Sequence, residues 1–320
     1  MYKYGILSTA SIVDRYVQGI KESKDGIPYA LASRALPPAQ KKASALGIDI
    51  SYGSYDELYN DPDIDIIYIP TINCLHYQNA YDALTHHKHV IVEKPFVMHK
   101  EEAENLFKVA NDNHCFLMEA QKSVFLPITK KLKEYIEQGV IGEVQYLEFK
   151  ASFPSRFTYD HWMCDVSAGG GAFYGSATYT IEYLMYLFDE PEFTITGSHI
   201  DGPTGSDDVC NFSLTVDNHI LVSSTISMSV PLKNELVVYG LDGYIIIPEF
   251  WKAHEMSIYK NNELVETIDI PFKSEFVYEV NHINDCLDQG LLISPVMTPE
   301  KTIKTVEMVE TLQDLWQKER

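Results

Sequence analysis

The chain is poor in cysteine, in positive charge and in long apolar runs. Its five cysteines, Cys74, Cys115, Cys164, Cys210 and Cys286, are odd in number, widely spaced and form no C-x-x-C pair. That excludes a disulfide scaffold and a thiolate zinc site, and it is the usage of a reducing compartment, so a cytoplasmic protein is expected. Lys and Arg number 25 against 46 Asp and Glu, a formal net charge of −21. Such a field repels nucleic acid and anionic membrane surfaces, and neither is expected as a partner. The longest uncharged runs, residues 66–81 and 166–181, carry Pro, Asn or clustered Gly, so neither is a membrane span. Asp14 and Arg15 interrupt the first apolar stretch, so no signal peptide is expected. No histidine has a companion at metal-ligand spacing, and no metal is expected.

What is present suits a two-domain globular protein: 320 residues, 45% apolar, with 21 tyrosines and 14 phenylalanines for large cores. Over residues 1–121 short apolar runs (4–7, 29–32, 64–69, 90–92, 115–118) alternate with helical spacing (11–21, 38–46, 78–85, 100–111). That alternation is the signature of βαβ units and predicts a doubly wound parallel sheet. Over residues 122–320 strands dominate (144–151, 192–199, 211–216, 220–227, 235–240, 244–247), with helices at 128–138, 177–188, 275–289 and 299–318. Several strands alternate apolar and polar residues, as in Phe212, Leu214 and Val216, which suits a mostly antiparallel open sheet with one covered face. The fold class is therefore α/β, with an α+β second half.

The most telling stretch is His89-Val90-Ile91-Val92-Glu93-Lys94-Pro95. Val90 to Val92 read as a strand buried on both faces, and Pro95 ends it. A Glu-Lys pair thus falls at the carboxyl end of a parallel strand, where ligands sit in open α/β sheets. A partly desolvated lysine there trades protons near neutral pH. The bland alternative is a surface lysine paired with a carboxylate.

After the first strand the chain reads Ser8-Thr9-Ala10-Ser11-Ile12-Val13. A dinucleotide loop wants G-x-G-x-x-G, and Ser8, Ala10 and Val13 occupy the three glycine places. Ala10 adds only a methyl, and the hydroxyls of Ser8, Thr9 and Ser11 join amides at a helix N-terminus, which remains an anion site. The alternative is an ordinary strand–helix turn with Ser11 as N-cap. The second strand ends in Ser33-Arg34 with Lys41 and Lys42 nearby, where an NAD site would carry an acid. Donors and positive charge there match a 2′-phosphate, so NADP is expected ahead of NAD.

Taken together these stretches resemble the Gfo/Idh/MocA family of NAD(P)-dependent oxidoreductases, in its dihydrodiol and xylose dehydrogenase-like branch. The resemblance is carried by Gly5-Ile6-Leu7-Ser8-Thr9-Ala10, Ala32-Ser33-Arg34, Tyr52-Gly53-Ser54-Tyr55-Asp56-Glu57-Leu58, Asn73-Cys74-Leu75-His76, Glu93-Lys94-Pro95, Met118-Glu119-Ala120, Gly139-Val140-Ile141-Gly142-Glu143-Val144 and Gly169-Gly170-Gly171-Ala172. It implies a Rossmann domain, then a domain whose open sheet often serves as an oligomer interface, here a homodimer or higher homo-oligomer. It implies a nicotinamide cofactor and a sugar, polyol or diol substrate. Lys94 matches the family lysine near nicotinamide and substrate hydroxyl. Thr71, Asn73 and His76 match the cofactor-lining loop, and Glu93 and Glu119 belong to cofactor-side motifs. Tyr179 matches the second catalytic position. Two places depart from the pattern: Gly175 stands where the family has aspartate, and Val124 where it commonly has arginine.

The reaction implied is reversible hydride transfer between the nicotinamide and a carbinol carbon, with Lys94 or Tyr179 taking the hydroxyl proton. Tyr179 lies in a predicted helix and reads equally as core. Arg156, Tyr159 and Trp162 lie in a loop that mixes aromatic surface with hydrogen-bonding groups and are candidate substrate contacts, or simply loop packing. The competing class is a non-catalytic sensor of NAD(P) or sugar.

Overall fold

Strands β1 (Tyr2–Leu7), β2 (Gly26–Ala32), β3 (Ile50–Tyr52), β4 (Ile66–Ile69), β5 (His89–Glu93) and β6 (Leu117–Ala120) make one six-stranded sheet in the order β3-β2-β1-β4-β5-β6. Every neighbouring pair is parallel. The computed structural model describes residues 1–154 and 158–319. The connections are α1 (Ile12–Glu22), α2 (Leu36–Leu46), α3 (Tyr55–Tyr59), α4 (His76–Thr85) and α5 (Lys100–Asp112). The β-branched runs of β4 and β5 are buried on both faces, as their sequence predicts. On one face Ile67, Ile69, Val90 and Val92 pack with Leu58, Ala80, Ala83, Leu84 and Leu106. The strand order reverses between β1 and β4, so the ligand crevice of such a sheet opens beyond their carboxyl ends.

The sequence reading passed over β3 and α3. Three residues are too few to show a period, and α3 is nucleated by a capping box in which Ser54 and Glu57 satisfy each other's backbone amides. Ser11 is not the cap expected of it: its backbone is already helical and its side chain caps nothing.

The second unit holds α6 (Pro127–Glu137), β7 (Val144–Ser152), α7 (Ala172–Leu187), β8 (Phe193–Asp201), β9 (Asp207–Val216), β10 (Ile220–Ser227), β11 (Glu235–Gly240), β12 (Gly243–Pro248), β13 (Glu255–Lys260) and β14 (Glu263–Asp269). Its eight strands run β14-β13-β12-β11-β7-β10-β9-β8. All neighbours are antiparallel except β7 and β10. Phe149, Phe173, Tyr183, Phe212, Phe250 and Trp316 fill the covered side. The other side carries Tyr146, Tyr239, Tyr244 and Tyr259 in one cross-strand row, with successive ring centroids 5.7, 5.6 and 4.8 Å apart. The β13–β14 hairpin, absent from the sequence reading, turns on Asn261-Asn262, both left-handed.

Helix α7 begins at Ala172, ahead of the expected 177. The buried Asp207 carboxylate accepts from the Phe173 amide at 2.7 Å and so caps the helix from β9. Gly171 makes this possible: its φ is 117°, and a Cβ there would lie 2.1 Å from Asp207 Oδ1.

The chain then returns to the first unit through α8 (Val277–Asp288) and the start of α9 (Pro299–Glu319). The first unit is Met1–Gln121 with Ser274–Val306; the second is Lys122–Lys273 with Glu307–Arg320. A single cut after residue 121 therefore describes only the N-terminal side of the division. The physical reason is the exposed face of α1, which α8 covers. The Tyr4 hydroxyl donates to Asn284 Oδ1 at 2.8 Å, Arg15 pairs with Glu275, and Gly19 leaves room for Phe276. Among the described residues no helix is long and apolar enough to cross a membrane.

Candidate active site

The crevice of the first unit is set by Ser8, at the end of β1. Its φ is 87°, the left-handed conformation for which a glycine is the usual choice. The hydroxyl holds the turn: Ser8 Oγ donates to the Pro70 carbonyl at 3.0 Å and accepts from the Ala10 amide at 3.3 Å. Thr9 and Ala10 are half-buried, Ser11 is exposed and Ile12 opens α1. This helix receives no capping hydrogen bond from the Ser11 side chain at its cap position. Its first amides and the positive end of its dipole therefore suit phosphate oxygens, and the loop fits a dinucleotide without its glycines.

At the end of β2 the expected donors divide. Ser33 is buried and its hydroxyl donates to the Ala35 carbonyl at 2.7 Å, so the proton expected for a phosphate is already engaged. Arg34 is exposed, and its charge opposes the burial that pushes the Tyr55 phenol up. Lys41 is exposed, whereas Lys42 pairs with Asp14 at 2.8 Å.

Lys94 follows β5 directly and is half-buried. Glu93 beside it accepts from the Tyr68 hydroxyl at 2.6 Å. The segment after Lys94 is braced from two sides. Nδ1 of the buried His76 lies 2.8 Å from the Pro95 carbonyl, and buried Glu119 accepts from the Phe96 amide at 3.1 Å through Oε1. Nε2 of His76 lies 3.0 Å from the Thr71 carbonyl, and Thr71 Oγ1 accepts from Asn79 at 3.1 Å. Burial holds the His76 pKa below its ordinary value, against the pull of the two carbonyls. His76 and Glu119 thus act on the loops that carry Lys94 and Thr71, where the resemblance implies cofactor contact. Asn73 is buried at the start of a 3₁₀ turn in the same segment.

In the second unit, Tyr179 lies on α7 and is 8% exposed. Its hydroxyl accepts from Lys122 Nζ at 3.0 Å, and the Trp251 ring lies 6.3 Å away, centroid to centroid. Sequence reasoning missed Lys122. The signal was present: it is the one charged residue in Ala120-Gln121-Lys122-Ser123-Val124-Phe125-Leu126-Pro127-Ile128-Thr129. Val124 is fully buried. Gly175 lies one turn before Tyr179, and among the described residues a Cβ there would meet Met163 Cε, at 2.9 Å. Trp162 is half-buried; Tyr159 is 54% exposed and donates to Asp208 at 3.4 Å. Arg156 lies outside the described residues.

Comparison with known proteins follows the same division. A family model described as an oxidoreductase family with an NAD-binding Rossmann fold matches residues 3–121, and the GFO/IDH/MocA C-terminal domain matches residues 129–246. The chain is 30% identical to the trans-1,2-dihydrobenzene-1,2-diol dehydrogenase of Xenopus laevis, over 98% of this chain and 96% of that one. Its fold is similar to that of KijD10, a 3-ketoreductase from Actinomadura kijaniata in complex with NADP and TDP-benzene (TM-score 0.89, 21% identity, 98% and 97% of the two chains). It is likewise similar to the aldose-aldose oxidoreductase of Caulobacter crescentus complexed with glycerol (TM-score 0.87, 20% identity, 100% and 98%).

Proposed function

The chain belongs to the Gfo/Idh/MocA family of NAD(P)-dependent oxidoreductases, and we propose that it interconverts a CH–OH group of a sugar, polyol or diol with the corresponding carbonyl. One observation carries this reading: Lys94 stands at the carboxyl end of β5, in the unit that bears the dinucleotide crevice, on a segment held by His76 and Glu119. When bound, NADP or NAD supplies the ring that accepts or returns hydride. The residues that would hold it are Ser8, Thr9, Ala10, Ser11 and Ile12 at the phosphates and Arg34 at the ribose, with Thr71, Asn73, Glu93 and Lys94 beyond. Exposed Arg34 favours the 2′-phosphate of NADP.

Lys94 or Tyr179 takes the hydroxyl proton in the oxidation direction and returns it in reduction. Tyr159 and Trp162 offer aromatic surface to the substrate. The test is reduced-nicotinamide absorbance with NADP or NAD across a panel of sugars, polyols and diols. Turnover that Lys94→Ala abolishes supports the enzyme. Cofactor binding with no turnover across a broad panel would instead support a non-catalytic sensor, the reading that Gly175 favours.

We further infer a homodimer or higher homo-oligomer built on the open side of the large sheet. A row of tyrosines flanked by Leu221, which is 60% exposed, and by Leu264, 56% exposed, is apolar surface that a second copy would cover. A cytoplasmic setting accords with five cysteines that are all free thiols.

A further inference from the structure

Two tyrosines sit four residues apart on α7, on one face of the helix, in opposite electrostatic settings. Tyr183 is fully buried, shares a 3.0 Å hydrogen bond with the Thr129 hydroxyl and has its phenol pushed well up by burial. Tyr179 is almost as buried, yet an amine faces it. Lys122, itself 5% exposed, donates to Tyr179 Oη at 3.0 Å and lies 5.4 Å from the ring centroid. A cation in hydrogen-bond contact favours the ionised phenol and works against burial, which favours the neutral one.

Other ionisable groups also lie around α7. One turn before Tyr179 stands Gly175, which brings no charge, and Val124, two residues after Lys122, brings none. Besides Tyr179, Tyr174, Glu182 and Tyr183 are the ionisable side chains buried on the helix itself. From β9, Asp207 is bound to the Phe173 amide at the helix start, Asp208 accepts from Tyr159, and the buried Cys210 thiol is pushed up by burial. Strand β10 presents no ionisable residue and meets α7 through Ser224, 2.9 Å from the Thr180 hydroxyl. Beside Trp251, Lys252 pairs with Glu249.

We propose that Lys122 is a positioning residue that polarises the Tyr179 phenol and so poises it to carry the substrate's hydroxyl proton. This rests on the dehydrogenase reading above. In oxidation the substrate loses its hydroxyl proton to the Tyr179 phenolate and its C–H hydrogen, with the electron pair, to the oxidised nicotinamide; the carbon is left as a carbonyl. Reduction runs the same transfers backwards, with the Tyr179 O–H as donor and Lys122 stabilising the phenolate that remains.

The experiment is a near-ultraviolet tyrosinate titration of the full chain, taken as wild type minus Tyr179→Phe, and repeated as Lys122→Met minus Lys122→Met/Tyr179→Phe and in the Lys122→Arg background. The expected Tyr179 midpoint lies below the ordinary phenol value of about 10, rises by about one pH unit or more in Lys122→Met, and stays low in Lys122→Arg. With a substrate from the panel, the limb of kcat/KM that requires phenolate moves to higher pH by the same amount in Lys122→Met. A wild-type midpoint at or above about 10, or one unmoved by Lys122→Met, overturns the proposal. Should Lys122→Met fail to fold, the wild-type and Lys122→Arg midpoints decide. Turnover with a Lys122-independent midpoint sinks this proposal alone. A low, Lys122-dependent midpoint without turnover across the panel sinks the dehydrogenase reading and the proton-carrier role with it.

Discussion

The Ser8 hydroxyl donates to the Pro70 carbonyl at 3.0 Å, tying the end of β1 to the end of β4 where the strand order reverses. The bond substitutes side-chain chemistry for the glycine expected at this turn, while the backbone keeps the left-handed conformation that glycine would adopt freely. Ser8→Gly relieves that strain as it removes the hydrogen bond, so stability should change by no more than about 1 kcal/mol and NADPH binding should persist. Ser8→Val places a β-branched side chain at positive φ and should cost about 1–3 kcal/mol and weaken binding. Urea unfolding and NADPH fluorescence titration check both.

His76 gives a pH signature. A neutral imidazole has one N–H, so of its two contacts, with the Pro95 and Thr71 carbonyls, only one is a hydrogen bond. Burial keeps the folded-state pKa below the ordinary value. As pH falls below about 6.5 the unfolded chain therefore takes up the proton first, and stability declines, by at most about 1.4 kcal/mol per pH unit from this group, until the folded pKa is passed. Above about pH 7.5 the contribution is flat. The His76→Gln variant should lose this share of the acid slope in urea midpoints, and its turnover should drop because the Lys94 segment loses a brace. An unchanged slope would show that His76 is not held neutral.

Arg34 is the residue on which cofactor choice turns. Arg34→Ala should weaken NADP binding by about tenfold to a hundredfold, the worth of a charge-assisted hydrogen bond, and leave NAD binding within about twofold. Calorimetric titration with both dinucleotides measures the difference. Equal losses would remove the 2′-phosphate role.

The tyrosine row offers a test of assembly. Tyr244 contacts Tyr239 and Tyr259 in the middle of the open side of the sheet. Tyr244→Glu places a charge in that apolar surface and should shift the protein to monomer in sedimentation velocity, with little loss of secondary structure. A wild type that sediments as a monomer ends the homo-oligomer reading.

The parts of the fold legible in the sequence were those decided within a few residues. β4 and β5 declare themselves as β-branched runs between turn residues, and Phe212, Leu214 and Val216 alternate as a half-covered strand must. What was illegible depends on partners remote in the chain. Helix α7 starts where Asp207 caps it, thirty-four positions away. The hairpin of β13 and β14 is mostly polar and solvated, so hydrophobic period says little, although Asn261-Asn262 marked its turn. In the candidate site, Lys94 could be placed by its strand and proline alone. Lys122 could not, because its meaning lies in Tyr179, fifty-seven positions on.

The return of residues 274–306 has a consequence for biosynthesis. As the ribosome emits the chain, residues 1–121 emerge without the cover of α1, which follows only after residues 122–273 have been made. Throughout that interval the surface around Gly19 and Tyr16 awaits Phe276, so this unit stays unsealed while the second is synthesised.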